Sequence, residues 1–162
     1  MQIKSLHIKN FKSVRELTIR DIENALILVG KNNTGKTVVI DAVRAVTGNY
    51  TVRENDFNEK KQNIEIAMVL AITEEDLHQF HAHGVVSAYK RYESWERDFC
   101  EKLPSFLNGE LSFVCSINYN GKIRYEDEGH KNNRCIPEIL PKLYFIDTNR
   151  NLESFQEDLL MF

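Results

Sequence analysis

The sequence lacks any apolar run approaching the roughly 18 to 20 residues needed to cross a bilayer. Its N-terminus, Met1-Gln2-Ile3-Lys4-Ser5, also lacks the apolar stretch and small-residue cleavage site of a secretory signal. A cytoplasmic location without a membrane partner is the expectation. Glycine and proline are sparse, at seven and three residues, which excludes collagen-like and low-complexity classes, and 42% hydrophobic against 28% charged residues excludes a wholly disordered chain. Cys100, Cys115 and Cys135 include no CxxC pair, so nothing points to a zinc or redox centre, and all three are expected as reduced, partly buried thiols. Positive charge is not in excess either. With 21 Lys and Arg against 24 Asp and Glu the net charge is −3, so a nucleic-acid role would need a local patch or another domain. At 162 residues the chain is about one domain's worth, long enough to bury a core without disulfides or a structural metal.

Periodicity then orders the elements. Leu6 and Ile8 alternate with polar neighbours, Val14, Leu17 and Ile19 form a second run, and Asn10-Phe11-Lys12-Ser13 is the turn between them, so a β-hairpin opens the chain. Ala25-Leu26-Ile27-Leu28-Val29 is a continuous apolar run ending at Gly30, the pattern of a central strand buried on both faces. After Gly35 the period lengthens: Val39, Ile40, Val43 and Val46 fall at helical spacing, and Gly48 stands where a left-handed C-cap belongs. Asn63 to Ile72 alternates strictly, with Ile64, Ile66, Met68, Leu70 and Ile72 on one face. Thr73 offers an N-cap, and Leu77, Phe80, Tyr92, Trp95 and Phe99 predict one broken or two consecutive amphipathic helices before Pro104 and Gly109.

Leu111, Phe113, Cys115, Ile117 and Tyr119 alternate again, and Asn120-Gly121 followed by Ile123 and Tyr125 predicts a hairpin closed by a type I′ turn. Glu126 to Arg134 reads as an exposed loop. Leu143 to Asp147 is a further apolar strand, and Leu152, Phe155, Leu159 and Phe162 begin a helix without a stop signal, which suggests the front part of something longer.

Gly30-Lys31-Asn32-Asn33-Thr34-Gly35-Lys36-Thr37 fits the phosphate-binding loop GxxxxGK[ST] at every fixed position, with a strand pattern before it and a helix pattern after it. Successive backbone N–H groups of such a loop, with the positive end of the following helix, make a concave anion site. Gly30 and Gly35 allow the backbone to approach a phosphate closely. Lys36 is the catalytic candidate, reaching between β- and γ-phosphates, and the Thr37 hydroxyl is the candidate Mg²⁺ ligand. A plain glycine turn between strand and helix leaves the Lys-Thr pair unexplained. A nucleotide with Mg²⁺ is therefore the expected ligand, and the family resemblance below makes that nucleotide ATP.

The residues Ile8 to Ser13, Ile-Lys-Asn-Phe-Lys-Ser, followed about twenty positions later by Leu-Val-Gly-Lys-Asn-Asn-Thr-Gly-Lys-Thr, resemble the start of the ABC-type ATPase heads of the RecF, SMC and Rad50 group. Within that group the Asn-Asn-Thr variant of the loop and Glu54-Asn55-Asp56-Phe57 look most like the OLD (overcoming lysogenization defect) family; the specific likeness covers residues 1 to 60. The resemblance implies an α/β P-loop NTPase: hairpin, phosphate loop and first helix in residues 1–60, a β-rich α+β insert in 61–141 with a hairpin near 111–126, and a strand and helix start in 142–162. It further implies that Asn32, Asn33, Thr34, Gly35, Lys36 and Thr37 surround the triphosphate and Mg²⁺, and that Lys12 stands where such heads place a basic residue beside the nucleotide. Read by itself, Lys12 is a solvated turn lysine.

Such heads also carry a signature segment resembling LSGGQ, a Walker B strand ending in Asp-Glu and a switch His, and none of these occurs here. Leu143 to Asp147 imitates Walker B, but Thr148 stands in the place of the catalytic Glu, and a Q-loop-like role, with Asn149 or Arg150 facing the nucleotide, is the favoured reading. The implied partners are a second head, in a dimer or higher oligomer, and DNA or a nuclease domain beyond these residues. An ATP-gated switch without turnover is a second hypothesis, and a P-loop kinase a third that the β-rich insert and N-terminal hairpin disfavour.

Other clusters have plainer readings. His78, His81 and His83 fit a solvated helix end better than a metal site, because no fourth ligand is placed. Asp41, one turn after Thr37, reads as a surface or capping partner. Tyr89, Lys90, Arg91, Tyr92, Trp95 and Arg97 have the composition of a nucleic-acid stacking surface, but Tyr92, Trp95 and Phe99 at helical spacing fit a core-facing stripe.

Overall fold

The computed structural model describes residues 1–23, 25–28 and 36–143. Its frame is one antiparallel sheet. Strand β1 (Gln2–Phe11) pairs with β2 (Val14–Ile19) on one side and with β3 (Ile64–Ala71) on the other, and β3 pairs in turn with β5 (Glu110–Ile117). Two short strands, β4 (Phe106–Leu107) and β6 (Ile123–Glu126), both pair with β5. The opening hairpin and the alternating run at 63–72 are thus neighbours in one sheet, with Leu6 opposite Met68 and Ile8 opposite Ile66.

Alternation decides which face is buried, because successive strand side chains point to opposite sides. Leu6, Ile8, Ile64, Ile66, Met68, Leu70, Leu111, Phe113, Cys115 and Ile117 share one core, and α1 (Lys36–Val46) and α3 (Tyr92–Lys102) contribute Val38, Val39, Ala42, Ala45, Val46, Trp95 and Phe99 to it. The buried stripe of α1 differs from the expected one. Val39 and Val46 are buried, but Ile40 is 41% exposed, and Val38 and the small Ala42 and Ala45 take the contact face instead. The buried face thus joins Val38, Val39 and Val46 to the two alanines.

Two helices, not one broken one, follow β3. Thr73 caps α2 (Glu74–Ala82): its hydroxyl accepts from Asp76 N at 3.2 Å while the Asp76 carboxylate accepts from Thr73 N at 2.9 Å, a reciprocal capping box. After α3 and β4–β6, a short α4 (Ile136–Ile139) buries Ile136 and Ile139. No helix among the described residues is long and apolar enough to cross a membrane.

Three expectations require correction. Residues 25–28 form no strand: Ile27 is 81% and Leu26 42% exposed. A continuous apolar run becomes a central strand only with a ladder partner and cover on both faces, and no strand of the sheet pairs with it among the described residues. The β5–β6 turn is not type I′. Asn118 O accepts from Gly121 N at 2.8 Å and Asn118 N donates to Lys122 O at 3.1 Å, while Gly121 alone in the loop has positive φ, at 75°. That is a three-residue loop with glycine at its left-handed position; the Asn118 side chain, accepting from Asn120 N and Lys122 N, selects it. The loop at 126–134 is pinned rather than simply exposed: Asn133 is buried and donates to Lys102 O and to Asp127 Oδ2, both at 2.7 Å.

Candidate functional site

Helix α1 opens on Lys36, half-buried, and Thr37, exposed. Its first described turn contains no acidic side chain, so no carboxylate on that turn opposes the positive end of the helix dipole. The remaining loop candidates, Gly30, Asn32, Asn33, Thr34 and Gly35, lie outside the described residues, as do Val29 and everything from residue 144 on, including Asp147, Thr148, Asn149, Arg150 and the helix expected from Leu152. Lys36 and Thr37 supply an ammonium and a hydroxyl at a helix N-terminus. This donor set fits a magnesium-bound triphosphate.

Lys12 is brought to the same helix by an unusual turn. The register Phe11 opposite Val14 leaves Lys12-Ser13 as the loop of the opening hairpin, and Lys12 adopts φ +53°, a conformation that costs a non-glycine residue roughly 1 to 2 kcal/mol. The segment at 54–63 offsets this. Lys12 N donates to Asp56 O at 2.6 Å, and the Asn58 side chain donates to Lys12 O at 2.9 Å. Asn10, itself at φ +59°, is 5% exposed; its amide donates to Glu59 O and Gln62 O at 2.9 and 2.8 Å, and its Oδ1 accepts from Glu59 N at 2.5 Å.

So held, the Lys12 side chain runs to α1. Its Nζ is 2.5 Å from Asp41 Oδ2 and 4.5 Å from the centre of the Tyr50 ring. Asp41 is buried and also accepts from Arg44 Nη1 at 3.3 Å. The Tyr50 hydroxyl donates to Asp56 at 3.0 Å. Burial by itself would lower the pKa of the Lys12 ammonium, but its interactions with Asp41 and Tyr50 outweigh that and raise it above the usual 10.5. Lys12 is therefore a fixed, charged side chain and not a solvated turn lysine. Asp41, expected at the surface, is its buried counter-ion.

The sequence reading missed Asp41, Tyr50, Asp56 and Asn58 as parts of this cluster. The one signal in the sequence was the family likeness of Glu54-Asn55-Asp56-Phe57, and its physical basis is that Asp56 holds both the Lys12 backbone and the Tyr50 hydroxyl. The histidines behave differently. The His78 ring lies 4.4 Å from the Tyr92 ring, and His81 sits 5.7 Å from Trp95 with its Nε2 2.9 Å from the Tyr89 carbonyl. Trp95 and Phe99 are fully buried, so the aromatic stripe of α3 is core as expected.

Residues 1–155 match the AAA ATPase domain family. The chain belongs to that family. Among curated proteins it is 24% identical over 164 residues to the DNA repair protein RecN of Bacillus subtilis, a match covering 96% of this chain and 28% of RecN. The chain thus spans little more than a quarter of that relative's length. A 41-residue stretch is 39% identical to an uncharacterized protein of Methanocaldococcus jannaschii, covering 25% of this chain and 19% of that protein. Among solved structures, an SMC ATPase studied for ATP-driven dimerization and DNA-stimulated activation superposes with a TM-score of 0.50 at 18% identity, covering 76% of this chain and 68% of the other. That likeness shows the fold, an ATPase-head α/β architecture of the P-loop class.

Proposed function

We propose that this chain forms the nucleotide-binding front of an ATPase head, which binds Mg-ATP and in the complete protein hydrolyses it to regulate a DNA-acting nuclease or antiviral activity of the OLD kind. The observation that carries the reading is the start of α1, where Lys36 and Thr37 stand on a first turn free of acid and the Lys12 ammonium is fixed on the same helix near Asp41. Lys36, Lys12, Thr37 and the loop Gly30, Asn32, Asn33, Thr34 and Gly35 would hold the nucleotide. Lys36 would hold positive charge against the β- and γ-phosphates, where negative charge grows as the γ-phosphoryl is transferred to water. Magnesium, when bound through the Thr37 hydroxyl, supplies Lewis-acid neutralisation of the same oxygens.

Pairing of two heads around ATP and a role on DNA draw support from the repair role in RecN's name and from the dimerization and DNA stimulation described for the SMC ATPase; a nuclease as the downstream partner rests on the likeness to the OLD family alone. Because the general base is not among the identified residues, the 162-residue chain is expected to bind Mg-ATP and turn it over slowly. Equilibrium dialysis with Mg-ATP and a phosphate-release assay on the same preparation test this. Binding with slow release supports the reading. Fast release independent of protein concentration contradicts the need for a second head, and no binding by the folded chain overturns the site itself.

A further inference from the structure

We propose that Asp41 and Tyr50 are positioning residues for nucleotide binding: they hold the Lys12 ammonium beside the first turns of α1 so that it meets the triphosphate already oriented. The inference rests on the ATP-binding reading above and assigns roles to two residues that do not themselves touch the ligand. Asp41 follows Thr37 by four positions, so the two lie on one stripe of the helix about 6 Å apart along its axis. Helical side chains lean towards the N-terminus, which brings the Asp41 carboxylate, and with it Lys12 Nζ at 2.5 Å, closer still to the helix start.

The contacts close into a ring. Lys12 N donates to Asp56 O, the Asp56 carboxylate accepts from the Tyr50 hydroxyl, the Tyr50 ring lies under Lys12 Nζ, and Nζ returns to Asp41 on α1. Backbone and side chain of one lysine are thereby both fixed, at a turn whose positive φ is unfavourable for lysine. A lysine free in solvent loses much rotamer freedom when it binds an anion; here that loss is already incurred in folding. The ammonium has three donors, and Asp41 takes one. With the Lys12 side chain 25% exposed, the group remains accessible to a ligand at the helix start. Asp41 is shared with Arg44 at 3.3 Å, so its charge opposes two cations rather than standing alone against a phosphate.

The test uses the full chain and a ribose-labelled fluorescent ATP with Mg²⁺, with anisotropy read for wild type, Lys36→Ala, Lys12→Ala, Lys12→Arg, Asp41→Asn, and the double variant Lys12→Ala with Asp41→Asn. Asp41→Asn and Lys12→Ala each weaken binding about tenfold, the size of one charge-assisted hydrogen bond. Lys12→Arg keeps most of the affinity, and the double variant is no weaker than Lys12→Ala, within about twofold. That non-additivity is what a merely structural role would not produce. If Asp41→Asn fails to fold by circular dichroism, Tyr50→Leu takes its place and loses affinity only while Lys12 is present. A folded Asp41→Asn protein with wild-type affinity, or a loss that adds fully to that of Lys12→Ala, overturns the positioning role. If in addition Lys36→Ala abolishes binding, the ATP-binding reading stands without it; if wild type binds no Mg-ATP, both fall.

Discussion

Around α1, a lysine and an arginine turn onto a buried carboxylate and a tyrosine ring; on α3 the rings of Trp95 and Phe99 turn inward while Glu93 and Arg97, with Lys90 and Arg91 just before the helix, stay exposed. Both regions mix aromatic and basic residues, and their physics is opposite. The α3 cluster gains from apolar burial, which is non-directional and needs only shape. The α1 cluster must offset desolvation of Asp41 and Lys12 with specific partners, together with two left-handed residues, Asn10 and Lys12. A fold seeking stability alone gains little from such an arrangement. Its value lies in holding a charge in one place, which is what an anionic ligand requires.

The largest expected effect falls on the apolar side. Trp95 is fully buried, and its indole N–H donates to Val85 O at 3.0 Å, so Trp95→Ala should lower unfolding free energy by about 3 to 5 kcal/mol in urea denaturation. The nucleotide affinity of the protein that remains folded should be unchanged. Loss of affinity without loss of stability would erase the division between the two regions.

Asn10→Ala comes next. It removes an amide that donates to the carbonyls of Glu59 and Gln62 and accepts from Glu59 N, and places alanine at φ +59°. The expected cost is about 2 to 3 kcal/mol by thermal unfolding, and because Asn10 ties the turn to the 54–63 segment, weaker Mg-ATP binding should accompany it. A stability loss with unaltered affinity would place the clamp on the structural side of the comparison.

The smallest effect is a pH dependence. The Lys12 pKa is raised above 10.5 in the folded protein, so the folded state holds this proton more tightly than the unfolded chain. The resulting stabilisation is fully present below the unfolded value and is lost as pH rises through the raised one. Melting temperatures followed upward from about pH 9 should fall more steeply for wild type than for Asp41→Asn. Parallel curves would mean that the pair contributes nothing to folding.

Much of the sheet was legible because apolar residues at every second position have few alternatives: Leu6 and Ile8, Ile64 to Leu70, and Leu111 to Ile117 all bury the side that the pattern indicated. The Thr73 cap was legible for the same local reason. What escaped were features set by distant partners. Residues 25–28 look like a strand by composition, but a strand exists only with its neighbours. Asn118 redirected the turn before Asn120-Gly121 with a side chain that no turn dipeptide reveals. In the candidate site, the motif predicts Lys36 and Thr37 at the beginning of the helix, and they lie in the first described turn of α1. Asp41 and Tyr50 were not visible, because their link to Lys12 joins positions 29 and 38 residues apart through the turn of the hairpin.

The central claim is that the start of α1 is a phosphate site. Isothermal titration of Mg-ATP into the wild-type chain and into Lys36→Ala tests it most directly. A phosphate site there gives saturable binding by wild type, weakened at least tenfold (about 1.4 kcal/mol) in a Lys36→Ala protein that still folds by circular dichroism. Equal binding by the two proteins, or no binding by folded wild type, would contradict it.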